Sequence, residues 1–257
     1  MDSKRKFLGL CLILFSCWLY GHDVYQWSIG QEAAIIAPSL LLGSYSYLKS
    51  RNQSNLSLEE LAHLSPTDVN KLDRFATRYY SETSANISDY LLWACLLAPL
   101  TLNLNPAIAN EYKEANIIIA ETYMLTSTLV YFSKVTFQRK RPLAYNYQVD
   151  LATKQEKDNQ YSFFSGHTAL AFSGAILTAK IYDDFHPEKD NTLIYIATAT
   201  TASCVGYLRI KAGKHFPTDV IAGAIVGTTV ALFISEIHKV DSSNSKARPT
   251  LFFQYNF

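Results

Sequence analysis

The sequence predicts an all-α helical bundle with a six-helix core, transmembrane in character and preceded by a signal-like or anchor segment. Three observations carry that expectation. Six long apolar segments, near 29–48, 89–106, 114–133, 166–183, 192–208 and 218–237, alternate with polar stretches. None shows the period-two alternation of a half-buried strand, and glycine, at 10 of 257 residues, is too sparse to punctuate many short strands. Charged residues make up 18% of the chain against ~25% in an average soluble domain, and apolar residues reach 49%.

In chain order, Lys4, Arg5 and Lys6 precede an apolar run from Phe7 to Tyr20, a basic region followed by a hydrophobic one. A spanning helix needs ~20 apolar residues, so 1–21 reads as a signal peptide or short N-terminal anchor. The six segments then fill 22–240 as one domain, since no repeat, low-complexity tract or long linker interrupts them. Asn191–Leu208 and Val220–Ser235 are uncharged over 18 and 16 residues, and Ala33–Leu48 over 16. Glu121 interrupts the third segment and Lys180 the fourth, so the runs suit either membrane spans or the buried helices of a soluble bundle. A mean hydropathy of +0.01 is low for a polytopic membrane protein and leaves both readings open. The polar 49–88 stretch, with Asp73, Arg74 and Arg78, has amphipathic spacing and is expected to form a helix lying over one end of the bundle. A tail over 241–257 ends in a weakly alternating, strand-like run.

A formal net charge of +1 gives no basic surplus for nucleic acid, whose affinity rests on phosphate neutralisation. Cys11, Cys17, Cys95 and Cys204 lack the pair spacing of a zinc or redox motif, and the last two read as buried thiols. Neither an HExxH motif nor clustered carboxylates mark a metal site, so no metal or cofactor is expected. His22, His63, His186 and His238 fit no motif and are expected on the surface.

Three clusters place cations and histidines where apolar segments meet polar loops. Lys134 is followed by Arg139, Lys140 and Arg141-Pro142; alone, such a cluster suits a helix end or a topology signal. Ser165-Gly166-His167 opens the fourth segment, where backbone N–H groups can meet an anion or Ser165 can simply cap the helix. Arg209 is followed by His215 and Asp219; His-x-x-x-Asp on a helix stacks a carboxylate one turn from the imidazole, as an ordinary ion pair or as an orienting partner. The third segment ends at Lys134, the fourth begins at His167, the fifth ends at Arg209 and the sixth begins near Asp219. Up-down connectivity therefore brings all three clusters to one end of the bundle.

Together, Lys-x6-Arg-Pro, Ser-Gly-His and Arg-x5-His-x3-Asp, in this order, resemble the phosphatidic acid phosphatase type 2 (PAP2)/vanadium haloperoxidase superfamily. The match covers 134–219 closely. Phe164 stands where the family usually has proline, and Leu208 where it often has serine. The resemblance implies a metal-independent phosphatase working on a phosphomonoester through a phosphohistidine. His215 would be the nucleophile, Asp219 its partner on the other ring nitrogen, and His167 the acid and then the base. Lys134, Arg141, Ser165, Gly166 and Arg209 would hold the phosphate oxygens.

The substrate implied is a lipid phosphate or diphosphate, with a soluble acid phosphatase acting on small phosphomonoesters as the alternative. A haloperoxidase or a non-catalytic membrane protein remain further readings. Oligomeric state is not legible. The family implies a site facing the periplasm, whereas the Lys and Arg surplus in 49–88, 134–165 and 209–217 favours the cytoplasmic side by positive-inside counting.

Overall fold

The computed structural model describes residues 24–240. The expected signal segment over 1–21, the tail over 241–257, Cys11, Cys17 and His22 lie outside the described residues. Six long helices form the bundle: α1 (Ile29–Arg51), α3 (Glu82–Thr101), α5 (Tyr112–Phe137), α7 (Gly166–Phe185), α8 (Thr192–Lys211) and α9 (Pro217–His238). Three short helices sit in the connections, α2 (Leu58–Ala62), α4 (Pro106–Ala109) and α6 (Leu151–Gln155). Among the described residues extended pairing is limited to an isolated bridge between Tyr25 and Lys239.

Local chemistry sets the helix ends. Ser28 caps α1 by accepting from the Gln31 N–H, with Glu32 in the first turn and Lys49 and Arg51 in the last, as the helix dipole favours. Ser81 caps α3, which therefore starts seven residues before the apolar run expected from 89. Pro217 opens α9, where a missing N–H costs nothing.

α7 is the central helix, packed against α3, α5, α8 and α9. Its buried face is built from small residues, among them Ala169, Ala171, Ser173, Gly174, Ala175 and Ala179. Small side chains let helix backbones approach closely, the usual device where lipid removes the hydrophobic drive between helices. At Gly227 of α9 a Cβ would stand 2.1 Å from the Ala169 carbonyl oxygen, so α7 and α9 meet backbone to backbone there. Larger side chains, including Ile118, Leu177, Ile181 and Ile234, fill the core beyond this contact.

α3 with its 3-10 extension (Glu82–Leu104), α8 and α9 are each long and apolar enough to cross a membrane by length and composition. Only 17%, 22% and 33% of their apolar windows are buried in the protein, so most of that surface faces outward. Trp93, Leu97, Ile196, Ile225 and Phe233 are all exposed on it. An outward apolar surface of this extent fits lipid and not water, which makes this a membrane-spanning bundle.

Three expectations are corrected. Cys204, expected to be a buried thiol, is exposed on α8, whereas Cys95 is buried. The 49–88 stretch is not a continuous amphipathic helix: after α2 it breaks into 3-10 turns at Pro66–Asp68 and Arg74–Arg78. Ser57 and Ser65 each form capping boxes, with Glu60 and Asp68, and Asn70 Oδ1 accepts from the Leu72 and Asp73 N–H groups. These side-chain bonds to local backbone outcompete the helix. His238, expected on the surface, is 1% exposed at the end of α9.

The α7–α9 contact gives a direct test. Alanine in place of Gly227 gains helix propensity but drives a Cβ into a carbonyl, and should destabilise the bundle by about 1–3 kcal/mol. G30A, where nothing lies within 4 Å, should leave the melting temperature unchanged or raised. Thermal unfolding of both variants in detergent checks the difference.

Candidate active site

The three clusters meet at one end of the bundle, as the helix order requires. α5 stops just past Lys134 because Gln138 adopts a left-handed conformation (φ 47°) and returns its N–H to the Lys134 carbonyl. The chain then doubles back: the Arg141 N–H donates to Asn159 O, the Ser162 N–H to Arg139 O and the Leu143 N–H to Gly213 O. These bonds lock the Arg141 turn against both the approach to α7 and the loop after α8.

That loop turns on Gly213, whose φ is +70° and whose Cβ would stand 2.3 Å from the Tyr79 carbonyl oxygen. Only glycine satisfies both conditions. The turn delivers His215 into the interior, 1% exposed. The His215 ring Nδ1 lies 2.8 Å from the Ser162 carbonyl oxygen. A carbonyl can only accept, so Nδ1 carries the proton and Nε2 keeps its lone pair. Burial first, then the charges of Arg141, Arg209 and Lys134, hold the His215 imidazole well below its ordinary pKa. The ring is therefore neutral at neutral pH.

Asp219 does not pair with His215 in the way the spacing suggests. Its Oδ2 lies 3.8 Å from Nδ1, too far for a hydrogen bond. His215 precedes α9 and is not on it, so the two side chains are not one turn apart on a helix. Instead Asp219 accepts from the Ser162 hydroxyl and, at 2.9 Å, from the Phe216 N–H, and it ion-pairs with Arg139. It thus grips the residues on both sides of the imidazole, including the one whose carbonyl fixes the ring. The Asp219 carbonyl also accepts from the Ser165 N–H at 3.0 Å, tying the start of α9 to the start of α7.

The cations are buried around this ring. Arg141 is 3% exposed and pairs with Asp158 at 2.7 Å; Arg209 is 5% exposed and reaches Ser88 at 3.2 Å and Asp89 at 3.3 Å. The Nε of each arginine has no hydrogen-bond partner. Burial raises the Asp158 carboxyl, but Arg141, Lys134 and Lys214 more than offset it and keep the group ionised. Ser165 caps α7 and accepts from the Thr168 hydroxyl at 2.8 Å. Gly166 lets α7 pack on α5: a Cβ there would be 2.9 Å from Val130 and 3.8 Å from the Lys134 Nζ. The His167 Nε2 lies 2.8 Å from Asp89. All eight expected site residues are accordingly at this end of the bundle.

Phe164, which replaces the family's proline, donates its N–H to Ser133 Oγ at 3.1 Å, a bond proline cannot make. Sequence reasoning missed Ser88, Asp89, Asp158, Ser162 and the roles of Arg139 and Asp73. Asp89 carried a signal, as the lone charged residue between Glu82 and Glu111. Asp73 joins Arg139 at 2.7 Å and accepts from the Thr218 N–H and hydroxyl, so this residue of the 49–88 stretch is buried structure and not an interfacial face. No cluster of ligating side chains that could hold a metal is found at this end among the described residues.

A buried neutral histidine makes stability depend on pH in a defined direction. The unfolded chain takes up a proton at His215 below about pH 6.5 while the folded chain does not, so stability is full above that pH and falls below it. The melting temperature should drop between about pH 7 and 5, and H215Q should reduce that drop.

The PAP2 superfamily profile matches residues 115–242, about half of the chain. A lipid A 4'-phosphatase of Porphyromonas gingivalis is 30% identical over 109 residues, 42% of this chain and 43% of that protein. An undecaprenyl-diphosphatase of Sulfolobus acidocaldarius is 24% identical over 51% of this chain and 58% of its own length. A bacitracin transport permease protein, BcrC, of Bacillus licheniformis is 28% identical over 58% of this chain and 66% of its own. The chain therefore spans less than two thirds of each of these relatives. A crystal structure of a transmembrane PAP2 type phosphatidylglycerolphosphate phosphatase from Bacillus subtilis aligns over 84% of this chain and 98% of its own, with 17% identity and a TM-score of 0.48. The profile match covers Lys134, Arg141, His167, Arg209, His215 and Asp219 in their expected order, and the chain belongs to the PAP2 superfamily.

Proposed function

We propose that the protein is a phosphatase that hydrolyses a phosphomonoester through a phosphohistidine on His215, with a lipid phosphate or diphosphate as substrate. One observation carries the reading: a neutral imidazole, its Nδ1 proton given to the Ser162 carbonyl, is buried among Lys134, Arg141 and Arg209. Such a ring offers an Nε2 lone pair where a phosphate would be held by cations.

In this reading Nε2 of His215 attacks phosphorus and the ester P–O bond breaks. Burial and Arg209 hold the His167 imidazole below its ordinary pKa, so a proton carried in on the phosphate monoanion passes to His167, oriented by Asp89, and from it to the departing alkoxide. A water molecule, losing its proton to His167, then cleaves the P–N bond and releases phosphate. Arg141 and Arg209 suit the non-bridging oxygens because a guanidinium fork can bind two at once. Each has an unpaired Nε to offer, and the arriving phosphate competes with Asp158 for Arg141. The start of α7 adds backbone N–H groups and the Ser165 hydroxyl. Asp219 acts through Ser162 and Phe216 as a positioning residue. Phosphoryl transfer needs mainly positioning and charge stabilisation, which these groups supply.

The outward apolar surface and the names of the relatives favour a lipid substrate over a soluble one. A site at the periplasmic end of the bundle is the orientation we adopt, against the count of basic residues around it.

Phosphate release by the purified full chain in detergent tests the proposal, with phosphatidate, phosphatidylglycerol phosphate, undecaprenyl diphosphate, lipid A and p-nitrophenyl phosphate as substrates. At least one lipid should be turned over, vanadate should inhibit as a mimic of the trigonal-bipyramidal transition state, and H215A should lose about 1,000-fold or more. Activity should persist in excess chelator. An active H215A, or loss in chelator with recovery on adding a divalent metal while the melting temperature is unchanged, contradicts the mechanism.

A further inference from the structure

We propose that Glu32, Glu121 and His238 form a binding site for one divalent transition-metal ion of the zinc type, near the end of the bundle opposite His215. The residues come from the start of α1, the middle of α5 and the end of α9, with 206 positions between Glu32 and His238. That separation is why no local spacing motif marks them. Glu121 precedes Lys134 by 13 residues on α5, which puts this site about 20 Å from the phosphate cluster.

The geometry is that of a ligand set. One oxygen from each carboxylate and the imidazole Nε2 all lie within 4.8 Å of one another. Nε2 is 3.2 Å from Glu32 Oε1 and 3.3 Å from Glu121 Oε2. Ligand atoms around a tetrahedral zinc, with bonds of about 2.0–2.2 Å, stand about 3.3–3.6 Å apart. The His238 Nδ1 lies 2.8 Å from the Ile234 carbonyl oxygen, which assigns the proton to Nδ1 and turns the Nε2 lone pair toward the carboxylates. A backbone carbonyl on the outer nitrogen is the usual support of a metal-bound histidine.

Glu121 supplies the independent observation. It is 4% exposed, and neither of its carboxylate oxygens has a hydrogen-bond partner. Three potential ligand atoms thus converge, Glu121 and His238 buried and Glu32 part-buried at the rim, and a buried carboxylate whose nearest basic partner is one imidazole is expensive. A divalent ion neutralises both charges and joins α1 to the core helices. One imidazole nitrogen with two carboxylate oxygens suits zinc, manganese or iron(II) better than magnesium or calcium, which favour all-oxygen sites.

The test uses the full chain in detergent micelles, purified with a histidine-free tag, stripped with chelator and titrated with zinc chloride alone against a chromophoric chelator. The expected result is one zinc per chain, with E121Q and H238Q each weakening it about 10-fold or more. Zinc should raise the melting temperature of the wild type but not of H238Q, whose phosphate release should be unchanged. X-ray absorption on the zinc-loaded wild type needs no variant: it should show one imidazole in a nitrogen and oxygen shell. No zinc bound by the wild type, equal binding by the variants, or a sulfur shell from cysteine would each overturn the proposal, the first leaving a proton-held cluster.

Discussion

The buried carboxylate of Asp219 is the constraint on which the site depends. It holds Arg139, the Ser162 hydroxyl and the Phe216 N–H at once, and its own carbonyl anchors Ser165. Arg139 in turn carries Asp73 and lies over the Phe216 ring at 4.1 Å. Four separate stretches of chain, around Asp73, Arg139, Ser162–Ser165 and Phe216–Asp219, are therefore tied at one point. Removing one partner of such a buried network costs about 3–5 kcal/mol, because the remaining groups stay buried without bonds. The cost explains why the imidazole beside it can be held still without a direct bond from the carboxylate.

Around this knot the bundle concentrates like charges, which repel and resist burial. Asp158 and Asp89 relieve part of that repulsion, and the N-terminus of α7 points its dipole the same way. A region built so is unfavourable by itself and becomes favourable when an anion enters. The small-residue packing of α7 against α3 and α9 supplies the rigidity that keeps the cations from drifting apart.

Much of this was legible in the sequence, for identifiable reasons. The six long helices follow from apolar runs whose ends carry Ser, Pro, Lys or Arg, and the meeting of the three clusters follows from their order at helix termini, while the roles given to their residues came from the family resemblance. What was not legible depended on tertiary contact. His215 and Asp219 have helical spacing, but Gly213 and Pro217 put the histidine in a turn. The 49–88 stretch has a helical pattern, yet Ser57, Ser65 and Asn70 bind their own backbone. Asp158 sits among Glu156, Lys157 and Asn159 with nothing to distinguish it from a solvated loop residue. His238 and Glu121 look unremarkable until three distant helices bring them within reach of each other.

In the proposed reaction phosphorus bonds covalently to Nε2 of His215. Rapid quenching of the enzyme with a phosphorus-labelled lipid substrate tests it most directly. The expected result is label on the peptide containing His215, stable to base and lost in acid, as a phosphoramidate should be. Turnover with no labelled protein at any time, or label on a carboxylate or hydroxyl side chain, would contradict it.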